Sequence, residues 1–140
     1  MLLDVDRASN YAVGVTIEPR GISAALVRWD GTVLSRARRP ASATSEPTNL
    51  VDAAIDAADE VLAKTEAPFS RIHGFGVGIS ALVDPATNEA VFSSTFATVR
   101  RFRMDALADH FGKPVYLEDI AYLMALGERW FVHPFVHPHD

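Results

Sequence analysis

Hydrophobic side chains recur at every second residue near the start of the chain. Over residues 11–17 this alternation has the period of a β-strand with one buried face, and a second apolar run covers residues 22–29. The neighbouring Asp30 and Gly31 form a strong hairpin-turn signal ahead of a third strand over residues 32–38. The pattern therefore predicts three sequential strands in an antiparallel meander.

The spacing of apolar residues becomes helical after the third strand. Pro47 is well placed as a first helical residue, and the apolar side chains that follow fall on one stripe as far as residue 62. We expect this helix to end near Thr65 and before Pro68. Shorter patterns predict a strand over residues 72–79, a helix over 104–111, a strand over 114–119 and a helix over 121–131.

This order of elements indicates a fold class. A meander followed by strands that alternate with helices predicts an α/β fold, in which helices pack on a mixed sheet. The glycines of "IHGFGVGI" suggest close approach by another backbone or by a ligand. We expect a lead-in over residues 1–10, one compact unit over 11–131 and a tail rich in proline and histidine over 132–140.

Composition and charge narrow the function classes. The chain of 140 residues carries a net charge of -5, so its overall charge does not attract nucleic acid phosphates. Arginine is nevertheless clustered at two places: Arg36, Arg38 and Arg39, and then Arg100, Arg101 and Arg103. Because neither cluster has interleaved aromatic residues, we interpret them as a solvated strand end and a solvated loop. We therefore predict no direct binding of nucleic acid.

Residue types also limit the chemistry. The chain has no cysteine, which excludes disulfides, thiol catalysis and cysteine-based zinc sites within it. His133, His137 and His139 are spaced like metal ligands, but the prolines between them favour a frayed tail, and we predict no metal site. His73 and His110 have no evident catalytic partner. With neither a leader nor a bilayer-length apolar run, we expect a cytoplasmic protein without membrane contact.

Three stretches of the chain match a known family in combination. Taken together, "YAVGVTIEPRGISAALVRWDGTVL", "GFGVGISALVDPATNEAVFSSTF" and "KPVYLEDIAYLMALGERWF" resemble the amino-terminal lobe of the ROK family of repressors and sugar kinases. The resemblance covers nearly all of residues 11–131. It implies the ribonuclease H-like mixed sheet that forms each lobe of the actin-like ATPase fold, and it places any nucleotide between two lobes.

The resemblance implies that the residues that handle phosphate have been replaced. In the family's kinases the first strand ends in Asp, then Ile-Gly-Gly-Thr, whose carboxylate organises magnesium and whose glycine N–H groups close around phosphate. The matching positions here are Thr16, Ile17, Glu18, Pro19 and Arg20. Threonine is not an anionic ligand, Pro19 has no N–H to donate, and Glu18 adds a negative charge. We interpret Arg20 as an exposed turn residue.

The position of the kinases' general base is also changed. These kinases carry Glu-Asn-Asp-Ala-Asn, whose Asp takes the proton from the sugar hydroxyl. Aligned without a gap, this base falls on Ile120, and the two asparagines fall on Asp119 and Tyr122. Moving Asp119 into the base position needs a one-residue deletion, which would turn the following helix by about 100°. We therefore interpret Asp119 as a strand-end or helix-capping residue.

The positions that contact sugar differ from the family pattern as well. Family members commonly place Ser-Pro-Asn after a "VDP" turn, where this chain has Ser94, Thr95 and Phe96, and a Pro-Gly pair becomes Ser80 and Ala81. We expect Phe96 to fill part of a hexose pocket. The candidate sugar-binding residues are Ser80, Phe96, Glu118 and Asp119.

These replacements lead to three hypotheses. The first is a non-catalytic lobe of a ROK-type transcriptional regulator that senses carbohydrate, with its DNA-binding segment and second lobe outside this chain. The second is an ATP-dependent hexose or amino-sugar kinase with degenerate motifs. The third is an interaction module whose apolar face binds a second copy or a partner lobe. The first predicts a carbohydrate ligand, no catalytic residue and no cofactor.

Overall fold

The computed structural model describes residues 8–121 of the chain. The strands within them are β1 (Tyr11–Glu18), β2 (Gly21–Arg28), β3 (Val33–Arg39), β4 (Ile72–Ile79), β5 (Leu82–Asp84), β6 (Glu89–Phe92), β7 (Arg100–Phe102) and β8 (Val115–Asp119). The α-helices are α1 (Pro47–Ala63) and α2 (Asp105–Phe111), and a short 3-10 helix covers Phe69–Arg71. The tail with its histidines, most of the last predicted helix and residues 1–7 lie outside the described residues.

The main sheet has five strands in the order β3-β2-β1-β4-β8. The first three pair antiparallel, whereas β4 pairs parallel with β1, and β8 pairs parallel with β4. This arrangement confirms the predicted meander and the mixed sheet. The parallel pairs also bring the carboxyl ends of β1, β4 and β8 to the same edge of the sheet.

Both α-helices pack on one face of this sheet. Ala54, Ala57 and Ala58 of α1 are completely buried, because small side chains allow the helix to lie close to the strands. The ring of Phe111 at the end of α2 stacks on Phe75 of β4, with 4.6 Å between the ring centroids. The alternate residues of β1, from Val13 onward, complete this core.

The ends of the helices follow from local chemistry. Pro47 begins α1, as predicted, and its missing N–H is not needed in the first turn of a helix. Gly112 ends α2 with a φ of 65°, a left-handed conformation that glycine adopts without a steric penalty. None of the helices within residues 8–121 is long and apolar enough to span a bilayer.

The predicted order of elements was incomplete, because a second, smaller sheet lies between β4 and α2 in the chain. Its strands β5, β6 and β7 pair antiparallel in that order, and the sequence analysis missed all three. Arg100 and Arg101, interpreted from sequence as part of a solvated loop, belong to β7. Strands of three or four residues are too short to show a recognisable alternation, and Arg101 interrupts β7 with a φ of 50°.

The predicted close approach at the β4 glycines occurs at Gly74. A Cβ atom added there would lie 3.1 Å from the carbonyl oxygen of Pro114. That oxygen also accepts a hydrogen bond from the backbone N–H of Phe75 at 2.9 Å, which holds it in place. Gly76 is different, because a Cβ atom there would meet nothing within 4 Å.

Candidate functional site

Candidate residues from three strands meet at the carboxyl edge of the main sheet. Ser80 follows β4, Asp119 ends β8, and the turn of Pro19 and Arg20 follows β1. The backbone N–H of Ser80 donates to the carbonyl oxygen of Ile17 at 3.3 Å, which joins the ends of β4 and β1. In open α/β sheets ligands bind beyond the carboxyl ends of parallel strands, so this edge is the candidate site.

A concavity of about 320 Å³, the strand-end pocket, lies at this edge. It is lined by Ser80, Ala81, Leu82, Phe92, Ser94, Thr95, Asp119, Ile120 and Ala121. Leu82 and Phe92 are cross-strand partners in the smaller sheet and give the pocket an exposed apolar wall. Hydroxyl groups and the carboxylate of Asp119 supply its polar groups. A mixed surface of this kind suits a small polar ligand with apolar faces.

The buried hydroxyl of Ser93 organises the loop beside the pocket. Its Oγ donates to the carbonyl oxygen of Ser80 at 2.6 Å. The Oγ atom of Ser93 also accepts hydrogen bonds from the backbone N–H groups of Thr95 at 3.1 Å and Phe96 at 2.8 Å. Sequence reasoning missed Ser93. The available signal was the run Ser93, Ser94 and Thr95 after a strand, because short hydroxyl side chains often bond nearby backbone groups in turns.

Asp119 and Ile120 occupy the positions where the family resemblance places an asparagine and the general base. The Oδ1 atom of Asp119 accepts a hydrogen bond from the backbone N–H of Ala121 at 2.8 Å, the contact that a helix-capping aspartate makes. Ile120 is buried, with 8% of its surface exposed. Its hydrocarbon side chain cannot accept a proton, so the pocket has no base at this position.

The positions that match the kinases' phosphate loop form the turn between β1 and β2. Glu18 pairs with Gly21 across this turn, and Arg20 is exposed. Pro19 cannot donate a backbone hydrogen bond to an anion. A Cβ atom added at Gly21 would lie 3.3 Å from the carbonyl oxygen of Arg39, and the φ of Gly21 is 151°. This turn therefore offers fewer backbone donors than a glycine-rich phosphate loop.

The structure separates the remaining candidates from the pocket. Thr16 and Glu118 both lie beside Gly78 in the strand register, on the face of the sheet opposite α1. The Oε1 atom of Glu118 accepts a hydrogen bond from the backbone N–H of Asp119 at 3.2 Å. Phe96 is completely buried in the hydrophobic core. Of the four candidate sugar-binding residues, Ser80 and Asp119 are thus the two that line the strand-end pocket.

Other titratable groups take part in separate contacts. Within residues 8–121, no group of three or more acidic, histidine or cysteine side chains could hold a metal ion. The Nε2 atom of His110 lies 3.2 Å from a carboxylate oxygen of Asp59, which links α2 to α1. His73 contacts the side chain of Asn10 and the ring of Trp29 at the amino end of β4. Neither histidine lines the strand-end pocket.

Comparison with known sequences identifies related proteins. Residues 12–134 match the model of the ROK family. The chain is 28% identical over 128 residues to a glucokinase of Thermotoga maritima. The match includes 91% of this chain but 39% of that enzyme, so the chain spans about two fifths of the length of this relative.

Comparison with solved structures finds kinases and a regulator with the same fold. A ROK glucokinase from Streptomyces griseus, solved with glucose and AMPPNP, is 25% identical with a TM-score of 0.70, over 87% of this chain and 37% of the enzyme. A ROK transcriptional regulator, a homologue of the Escherichia coli Mlc protein, has a TM-score of 0.75 at 14% identity, over 91% of this chain and 32% of the regulator. The predicted actin-like, ribonuclease H-like fold is confirmed.

Proposed function

The chain belongs to the ROK family, and from that premise we propose that it is a non-catalytic, carbohydrate-binding lobe of a ROK-type transcriptional regulator. The observation that carries this proposal is the buried Ile120 at the end of β8. Catalysis of sugar phosphorylation needs a group that accepts the proton of the attacking hydroxyl, and isoleucine has none.

The phosphate-loop positions support the same proposal. Glu18 and Pro19 occupy the turn at the end of β1, where the family's kinases use glycine N–H groups to surround phosphate. The carboxylate of Glu18 repels a phosphate anion, and Pro19 has no donor for it. Binding of ATP to this lobe is therefore disfavoured, whereas binding of an uncharged ligand in the strand-end pocket is not.

A carbohydrate is the ligand that best fits the strand-end pocket. Sugar hydroxyls match the hydroxyl groups of Ser80 and Ser94 and the carboxylate of Asp119, and the C–H faces of a sugar ring match the exposed ring of Phe92. The Streptomyces griseus glucokinase, which shares this fold, was solved with glucose. We therefore propose glucose and related hexoses as the first ligands to test.

A second candidate function is an ATP-dependent hexose kinase with altered motifs. Two observations favour it: the carboxylate of Asp119 lines the pocket next to Ile120, and the Thermotoga maritima relative is a glucokinase. In this alternative Asp119 would replace the missing general base. Its existing hydrogen bond to the backbone N–H of Ala121 gives it a different role, that of a helix cap.

Thermal unfolding with sugars separates the two candidates. A ligand that binds the native state raises the midpoint of unfolding by mass action, even without turnover. We expect a hexose or amino sugar alone to raise the midpoint, and Mg-ATP to add nothing. The variant Asp119→Asn should lose most of the shift, since asparagine keeps the helix cap but removes the charge. Asp109→Asn, an exposed change on α2, is the matched control and should retain the shift.

Two results would count against the proposal. If the sugar shift requires Mg-ATP, or if ADP forms in its presence, the kinase is the better account. If none of the sugars changes the midpoint, the carbohydrate-binding role is wrong.

A further inference from the structure

A second concavity lies beside the start of α1, and we call it the arginine pocket. Its volume is about 330 Å³. Arg100, Arg101 and Arg103, one of the two clusters seen in the sequence, line it on one side, and Thr48 and Asp52 of α1 line it on the other. None of these five residues lines the strand-end pocket. The proposed carbohydrate site therefore leaves this pocket without a role.

The backbone of Arg101 helps to bring the arginines together. In a regular strand, consecutive side chains point to opposite faces. Arg101 in β7 instead has a φ of 50°, a left-handed conformation that is uncommon for residues other than glycine and asparagine. The alternation is broken there, and the neighbouring Arg100 and Arg101 line the same pocket. Strained backbone is often kept where it positions functional side chains, which makes this pocket a candidate binding site.

The nearby carboxylates leave part of the positive charge available. Arg103 is held by Asp105, with 2.9 Å between Nε and Oδ2. Glu89 lies 3.8 Å from Arg101 and 3.9 Å from Arg103, beyond the roughly 2.7–2.9 Å of a strong charge-assisted hydrogen bond. Arg100 forms no ion pair with the described residues, and the side chain of Arg101 is 78% exposed. The guanidinium groups of Arg100 and Arg101 can therefore bind an anion.

We propose that the arginine pocket binds a small polyol phosphate. The planar N–H forks of Arg100 and Arg101 match the terminal oxygens of a phosphate group, which accept paired hydrogen bonds. The hydroxyl of Thr48 supplies a further donor, and the first turn of α1 has no acidic side chain to repel the anion. A pocket of this volume is at the small end of ligand sites, which suits a small molecule.

Asp52 narrows the class of ligand. Its carboxylate lines the same pocket and repels a free phosphate dianion, but it can accept a hydrogen bond from a hydroxyl group. A phosphate ester of a polyol carries both the anion and the hydroxyl. A long polyanion such as a nucleic acid is disfavoured, because the net charge of the chain is -5.

Isothermal titration calorimetry of the full chain tests this proposal, with glycerol 3-phosphate as the probe and NaCl at matched ionic strength as the blank. We expect saturable binding of the probe, weaker binding of inorganic phosphate and none of glycerol. Arg101→Gly should raise the Kd about tenfold or more, because it removes a charge-assisted contact. Glycine relieves the left-handed backbone, so this variant should unfold at a temperature no lower than the natural chain. Loss of binding would then not result from misfolding.

Two further variants complete the test. Arg100→Gln should weaken binding as Arg101→Gly does. Arg71→Gln is the matched control and should retain binding, since Arg71 is exposed on the short 3-10 helix and does not line the pocket. Asp119→Asn should also retain it, which separates this result from the carbohydrate proposal. The absence of saturable binding, an equal loss in Arg71→Gln, or tighter binding of inorganic phosphate or of a single-stranded oligonucleotide would each overturn the proposal.

Discussion

At the scale of single residues, Ser93 links the end of β4 to the loop after β6, and both of these segments border the strand-end pocket. Its one hydroxyl donates to Ser80, at the end of β4, and accepts from the backbone of Thr95 and Phe96 in the following loop. The side chain is 6% exposed, so water cannot easily replace these partners. Ser94, the next residue, is exposed and makes a different contribution, because it lines the pocket directly.

The first prediction concerns this hydroxyl. Ser93→Ala should lower the free energy of unfolding by about 1–3 kcal/mol, because it leaves the N–H of the buried Phe96 without its acceptor. The neighbouring Ser94→Ala should change it by less than about 0.5 kcal/mol, as expected for an exposed site. Urea denaturation of the three chains measures both effects. Equal stability of the two variants would show that the loop does not depend on Ser93.

At the scale of elements, α1 secures the edge strand β3. The Nζ atom of Lys64 donates to the carbonyl oxygen of Arg36 at 2.8 Å, and the hydroxyl of Ser35 donates to the carbonyl oxygen of Val61 at 2.9 Å. Glu60 pairs with Arg39 at 2.8 Å and with Lys64 at 2.6 Å. Side chains that occupy backbone groups of an edge strand hinder its pairing with another chain. Of the clustered Arg36, Arg38 and Arg39, Arg39 therefore pairs with α1 through Glu60, and Arg36 bonds Lys64 directly after this helix.

A pH dependence follows from Glu60. Hydrogen bonds from Lys64 and Arg39 hold the pKa of the Glu60 carboxyl below its ordinary value of 4.5. Since the folded pKa is depressed, the stabilisation is present above pH 4.5 and is lost as the pH falls through the lower, folded pKa. We expect Glu60→Gln to lower the unfolding midpoint at pH 7, and we expect its difference from the natural chain to shrink as the pH falls below 4.5.

The matched control for this effect is Glu66→Gln. Glu66 is exposed and forms no ion pair with the described residues. Thermal unfolding between pH 3 and 7 should show a pH-dependent difference for the change at Glu60 and a much smaller one at Glu66. Because Glu60 is partly exposed, added salt should reduce the difference. A constant difference across the pH range would contradict this account.

At the scale of the whole molecule, the mouth of the strand-end pocket exposes apolar surface. Leu82 is 65% exposed and Phe92 is 47% exposed, and the two are cross-strand partners in the smaller sheet. The chain spans 39% of the length of its glucokinase relative. Exposed apolar pairs of this kind favour association with another surface. We therefore propose that self-association of this chain, the third hypothesis from sequence, takes place through the surface of Leu82 and Phe92.

Analytical ultracentrifugation at several protein concentrations tests this self-association by measuring the molecular mass in solution. We expect the mass of the natural chain to rise with concentration, and Leu82→Lys to shift the chain toward the monomer, because a charge must lose its hydration to enter an apolar contact. Val33→Lys is the control, since Val33 is 39% exposed but lies on β3. A monomer at every concentration would exclude self-association through this surface.

The sequence by itself determined the elements with a long, regular pattern. Alternation over residues 11–17 and the Asp30 and Gly31 turn predicted the meander, and the apolar stripe after Pro47 predicted α1. Local sequence carries this information because side-chain period and turn chemistry depend on neighbouring residues. The same motifs identified the family, and the resemblance predicts that Ile120 stands at the position of the kinases' general base.

Only the tertiary structure decided which candidates share a site. Ser80 and Asp119 meet in one pocket because β4 and β8 pair parallel, whereas Thr16 and Glu118 lie on the opposite face of the sheet from α1. The pocket wall comes from β5 and β6, whose short strands gave no periodic signal. Packing between segments that are distant along the chain creates these arrangements, and no local pattern encodes the distance between two such segments.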